Sequence, residues 1–160
     1  MARRDGERDA LERDLVRLVT SRLLDPLEIL LQGEPGIEAA RERVRREAAG
    51  WADDLLGPDQ PRAVLIGARL ISVLYPGDAV FDPPAAWWGT PLGRAIARRL
   101  GHPAAERVSF AVAGTMLGIT RQGVHDLVRR GKLRPHPDGG VTTLSIRERL
   151  STRDPGGIHG

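Results

Sequence analysis

The sequence predicts a mainly α protein: an N-terminal helical bundle, then a small winged module of two short helices, a β-hairpin and a closing helix. Three observations predict it. Apolar residues recur at spacings of three and four through most of the first hundred residues. Helix-start signals (Asp25-Pro26, Thr90-Pro91, Ser109, Thr120) alternate with helix-stop signals (Gly33, Gly57-Pro58, Gly101, Gly118). Asp138-Gly139-Gly140, between short β-prone runs, signals a hairpin because these residues tolerate positive φ. On this reading residues 1–101 form the helical domain, 102–153 the winged module and 154–160 a flexible tail.

Residues 5–22 carry Leu11, Leu15 and Leu18 as one apolar stripe between charges. The stripe covers barely two turns, too short for a coiled-coil seam, so it is expected to pack within the chain. Asp25-Pro26-Leu27-Glu28 reads as a fresh helix opening, with an N-cap, proline at N1 and an acid at N3. Ile37, Ala40, Val44, Ala48, Trp51 and Leu55 mark one face of a longer helix. Its ARERVRRE run (residues 40–47) alternates sign and reads as a solvated face laced with i,i+4 pairs. Residues 62–75, RAVLIGARLISVLY, are apolar almost all round, which places that helix at the centre of the core. Residues 77–86 read as a loop, and a helix from Thr90-Pro91 runs to Leu100. At least one of Trp87 and Trp88 is expected to pack between the domains, since large aromatics fill cores and interfaces. No period of 20–50 residues is present, so the chain is not a repeat protein.

The module begins with Ser109, an N-cap candidate, ahead of Phe110, Ala113 and Leu117 at helical spacing. Gly118 supplies a left-handed stop, Ile119 a plug for the turn and Thr120 a second N-cap. In the helix over 121–130, Val124, Leu127 and Val128 face inward, while Arg121, Gln122, His125, Asp126 and Arg129 face away. Gly131 ends it. Ser145-Ile146-Arg147-Glu148 then reads as a capping box that opens the last helix, with Ile146 and Leu150 folding back on the core. The segments SFAVAGTMLGITRQGVHDLVRRGKL, RPHPDGGVTTL and SIRERL together resemble the MerR/excisionase-like winged helix-turn-helix family. The resemblance covers a quarter to a third of the chain. The family's usual Glu-Ala-Ala is here Val112-Ala113-Gly114, and the module lies C-terminal rather than N-terminal, which argues against a MerR-type metal or drug sensor.

The resemblance implies DNA binding through the second helix. Arg121, Gln122 and His125 would meet base edges, where arginine suits guanine and glutamine suits adenine. Thr120, Arg129, Arg130, Lys132 and Arg134 would meet phosphates. His136, Asp138, Gly139 and Gly140 would form the wing tip. Arginine by itself says little, since 23 of the 24 basic residues are Arg. Its distribution says more: residues 1–101 carry 15 basic and 16 acidic side chains, and residues 102–160 carry 9 and 5. The positive excess therefore lies on the segment with the motif, as phosphate binding requires. The expected function is a sequence-specific bacterial transcriptional regulator, cytoplasmic and nucleoid-associated. Its partner would be double-stranded DNA, bound as a homodimer or DNA-templated oligomer. The alternatives are an excisionase-like or partitioning architectural factor, or a protein-interaction adaptor such as an antitoxin.

Other classes have less behind them. Without cysteine there is no disulfide or thiolate chemistry. The charged start, MARRDGERDALERD, does not read as a signal peptide, and the longest apolar run is too short to span a bilayer. His102, His125, His136 and His159 show no metal-ligand spacing, and no nucleophile motif or phosphate loop is present. No metal, cofactor or catalytic residue is expected.

Overall fold

The computed structural model describes residues 2–33 and 35–152; the tail expected at 154–160 lies outside the described residues. The protein is mainly helical, with one small antiparallel sheet. By contacts the chain divides into two compact units, residues 1–78 and 79–160. The sequence suggested a boundary at Gly101. The structure instead groups the segment before Gly101 with the module, because two of its elements pack on module helices.

In the first unit, helix α1 (Ala2–Val19) continues through a π-helical turn (Thr20–Leu24) into α2 (Asp25–Leu30). The expected helix break at Asp25-Pro26 is therefore absent. Asp25 has helical φ and ψ, and its N–H donates five residues back to the Thr20 carbonyl. That wider turn shifts the carbonyl ladder at the place where the proline ring would otherwise strike the residue four back. Asp25 caps nothing: its carboxylate, with Glu28, accepts from Arg41 at 2.7 Å each.

Helix α3 (Pro35–Leu56) packs on both α1 and α4 (Gln60–Leu74), burying Ile37, Ala48, Ala52 and Leu55. Its outer face carries the Arg43–Glu47 pair, of the expected i,i+4 type, and a Glu42–Arg45 pair at i,i+3. Helix α4 is capped by Asp59, which accepts from the Arg62 N–H at 3.1 Å. It is not the centre of the core. Ala63, Ile66, Gly67, Leu70, Ile71 and Leu74 are buried, but Leu65 and Val73 are exposed. In a bundle this thin each helix covers one face, and the central place falls to α3.

The second unit opens with a 3₁₀ turn (Ala85–Gly89) that buries Trp88 completely. Trp88 stands edge-on to Trp87 with centroids at 4.9 Å and lies 5.1 Å from the His102 ring; Phe81 completes the cluster. The tryptophan thus fills the core of this unit. Helix α5 (Pro91–Leu100) follows, with Thr90 accepting from the Gly93 N–H at 3.1 Å. A Cβ on Gly93 would lie 2.1 Å from the Trp87 carbonyl oxygen, so only glycine lets the 3₁₀ turn fold down here. Strand β1 (Arg107–Val108), helices α6 (Phe110–Leu117) and α7 (Arg121–Arg129), strand β2 (Val141–Thr142) and helix α8 (Thr143–Thr152) complete the unit.

Strand β2 pairs antiparallel with β1, Val108 opposite Val141, and Val141 also bridges Pro135. Strand β1 has no counterpart in the sequence reading. The last helix also starts differently. Thr142 Oγ1 accepts from the Ser145 N–H at 3.3 Å, so the capping side chain is Thr142 and not Ser145. Ser145 is buried inside the helix, where its hydroxyl donates to the Thr142 carbonyl and accepts from the Arg134 N–H. Val108, Ala113, Met116, Leu117, Val124, Leu133, Val141 and Ile146 form this part of the core.

Candidate nucleic-acid interface

Helices α6 and α7 meet through a three-residue turn, Gly118-Ile119-Thr120. Ser109 caps α6 by accepting from the Val112 N–H at 3.2 Å. Gly118 is left-handed, with φ 71° and ψ 32°. Gly114 is where the turn comes closest: its carbonyl accepts from the Ile119 N–H at 2.9 Å, and a Cβ there would lie 2.9 Å from the Ile119 oxygen. Thr120 Oγ1 caps α7 by accepting from the Gly123 N–H at 3.0 Å. Helix α7 closes on Gly131 (φ 73°), where the Lys132 N–H donates back to the Leu127 carbonyl.

Helix α7 packs chiefly on α6. Val124 is fully buried and Leu127 and Val128 are half-buried, while Thr120, Arg121, Gln122, His125, Arg129 and Arg130 are exposed. The three candidate base-reading residues differ in their freedom. Arg121 makes no side-chain hydrogen bond or ion pair with any described residue. Gln122 Nε2 donates to Asp126 Oδ1 at 3.3 Å. His125 stacks nearly parallel on Phe110, with centroids 4.2 Å apart and planes at 20°. One imidazole face is therefore taken by α6, and the ring is held in place.

The candidate phosphate contacts divide the same way. Arg130 and Lys132 are exposed, with no side-chain partner among the described residues. Thr120 spends a lone pair on its cap. Arg129 pairs with Asp126 one turn back on its own helix. Arg134 reaches Glu148 on α8 at 3.1 Å.

The hairpin expected from Asp-Gly-Gly is present over residues 134–142. The Thr142 N–H donates to the Arg134 carbonyl at 2.9 Å, and the His136 N–H to the Gly140 carbonyl at 3.0 Å. His136 is half-buried and shapes the turn: its Nδ1 accepts from the Asp138 N–H at 3.0 Å. Gly139 and Gly140 have φ of 98° and 78°. Asp138 is exposed, and its carbonyl accepts from Arg107 Nη1 at 2.8 Å. Arg107 also touches the Gly139 carbonyl at 3.3 Å and so clasps the hairpin tip from β1.

Four residues of this surface were not singled out as site residues from the sequence. Asp126 and Glu148 hold candidate arginines, Phe110 holds His125, and Arg107 holds the hairpin. The Gln122–Asp126 and Asp126–Arg129 spacings were readable as i,i+4 and i,i+3 neighbours. The others join segments distant in sequence and carry no local signal.

Elsewhere, the first unit has an open groove of about 760 Å³ lined by Asp9, Glu12, Arg13, Arg17, Asp25 and Arg45 among others. Its charges are of both signs. Among the described residues no cluster of three metal-ligating side chains occurs, and no helix is long and apolar enough to cross a membrane. No protein-family model, curated protein or solved structure matches this chain.

Proposed function

We propose that the second unit is a winged helix-turn-helix that binds double-stranded DNA. Helix α7 would lie in the major groove, with the 134–142 hairpin against the backbone. One observation carries this reading. Arg121 on α7, whose opposite face is buried at Val124, and Arg130 and Lys132 at and just past its C-terminal end stand exposed and without internal partners among the described residues. A cation not neutralised by its own protein is available to phosphate or to guanine. The resemblance to the MerR/excisionase-like family and the positive excess after residue 101 favour the same reading.

In this reading Arg121, with Gln122 and His125, reads base edges, and Arg130 and Lys132 hold phosphates. One such module makes few base contacts. Useful specificity therefore calls for two copies on paired half-sites, with the first unit holding them together. The role that fits is a sequence-specific bacterial transcriptional regulator.

The test is selection of bound duplexes from random DNA at two salt concentrations. The expected result is an enriched motif whose retention falls steeply with salt. Arg121→Ala should cost about 1–3 kcal/mol at one position of that motif, roughly 5- to 150-fold. Absence of retention even at low salt would overturn the reading and favour a protein-interaction adaptor.

A further inference from the structure

Asp126 is a carboxylate on the strip of α7 that the proposed function turns toward a polyanion. Such a charge repels phosphate unless it does something else. Its place in the sequence says what. Gln122 lies four residues before it and Arg129 three after, so all three share one strip of helix surface. In the structure a single oxygen, Asp126 Oδ1, accepts from both Gln122 Nε2 and Arg129 Nη2. Asp126 is half-buried, while Gln122 and Arg129 are exposed.

We propose that Asp126 is a specificity-determining positioning residue, which fixes the amide of Gln122 for base reading and withholds Arg129 from phosphate. The inference rests on the DNA-binding reading above. With one amide hydrogen on Asp126, the Gln122 Nε2 keeps a second hydrogen and Oε1 turns the other way. That is the donor–acceptor edge adenine requires, already oriented. The guanidinium of Arg129 is neutralised by a carboxylate on its own helix, so it adds nothing to sequence-independent attraction. General affinity is then left to Arg130 and Lys132, and discrimination rises at the expense of attraction to any duplex.

The experiment measures binding of the full chain to its selected duplex and to a random duplex, from 50 to 200 mM salt. The proteins are wild type, Asp126→Ala, Arg129→Ala and the double variant, each checked for helicity. Alanine is the strongest helix former and is smaller than either side chain it replaces, so both substitutions keep the helix. Asp126→Ala should steepen the salt slope by about 0.9, the value of one added phosphate contact. Its affinity for the random duplex relative to wild type should therefore change about 3-fold across that salt range. The ratio of selected to random affinity should fall at least several-fold. Arg129→Ala alone should leave the slope unchanged, and the double variant should return to the wild-type slope.

Two results overturn the inference while leaving DNA binding intact. One is an unchanged slope and ratio in Asp126→Ala. The other is a slope flattened by Arg129→Ala alone, which would mean that Arg129 already meets a phosphate. Failure of wild type to bind any duplex would sink the DNA reading itself, and this inference with it.

Discussion

Replacing Gly140 with alanine tests whether the 134–142 hairpin is held by backbone contact rather than by its turn alone. Gly140 has φ 78°, and a Cβ there would lie 2.3 Å from the Val108 carbonyl oxygen and 3.1 Å from its carbon. Gly139 is the internal control. Its φ is 98°, but the nearest atom is Arg107 Nη1 at 3.7 Å, the mobile end of a side chain. Both alanines bear the cost of a left-handed backbone, about 1–2 kcal/mol. Only Gly140→Ala must also push β1 back by about 1 Å, to reach an ordinary contact of 3.4 Å. That displacement spoils the short β1–β2 pairing at Val108 and Val141, at about 1 kcal/mol for each hydrogen bond lost. The totals are about 3–4 kcal/mol for Gly140→Ala and about 1–2 for Gly139→Ala. With a urea m-value of about 1.5 kcal/mol/M, the midpoints should fall by about 2 M and about 1 M. The Trp88 indole NMR signal reports this unit by itself, since that ring is buried within it. Equal shifts for the two variants would refute the argument from close approach.

Two further predictions follow from the second unit. Arg130→Ala and Lys132→Ala should each weaken binding to all duplexes alike and flatten the salt slope by about 0.9, as measured by anisotropy titration; a change in the selected motif would reassign them as base contacts. His102 is buried with its Nδ1 accepting from the Ala104 and Ala105 N–H groups, and that burial pushes its pKa below the ordinary 6.5 against the opposing pull of Asp82. The unfolded chain therefore takes the proton first, so this unit should lose stability as pH falls through about 6.5 toward the lower folded value. Urea midpoints at pH 7.5 and 5 should show this in wild type and show less of it in His102→Gln.

Local signals in the sequence were read well where one residue does one local task. Ser109, Thr120 and Thr90 cap helices where expected, because a cap needs only its own hydroxyl and a backbone N–H three residues on, and Gly118 stops α6 through its own left-handed backbone. Asp25-Pro26 misled because the same two residues suit a helix start and a π-turn, and the aspartate that could have capped a new helix instead faces Arg41, sixteen residues on. Ser145 misled because a buried hydroxyl with several partners looks, in one dimension, like a cap. The apolar run of 62–75 suggested a centre that a bundle of three long helices gives to another member. On the candidate site, period alone showed that Arg121, Gln122, His125 and Arg129 face outward, while Asp126, read with them, is half-buried. Which of them are already engaged was not, since Arg134 finds Glu148 and Phe110 finds His125 only after folding.

Val141 takes one neighbour from Pro135, six positions away, and another from Val108, thirty-three away. Closing the longer span costs about 1.5 kcal/mol more chain entropy than closing the shorter one. The hairpin can therefore shut by itself, early in folding. The outer strand has to wait until α6 and α7 have coiled up the intervening chain and brought its ends together. During synthesis Val108 cannot meet this partner until Val141 has left the ribosome, so a nascent chain halted at α7 carries a two-residue strand with its partner still to come.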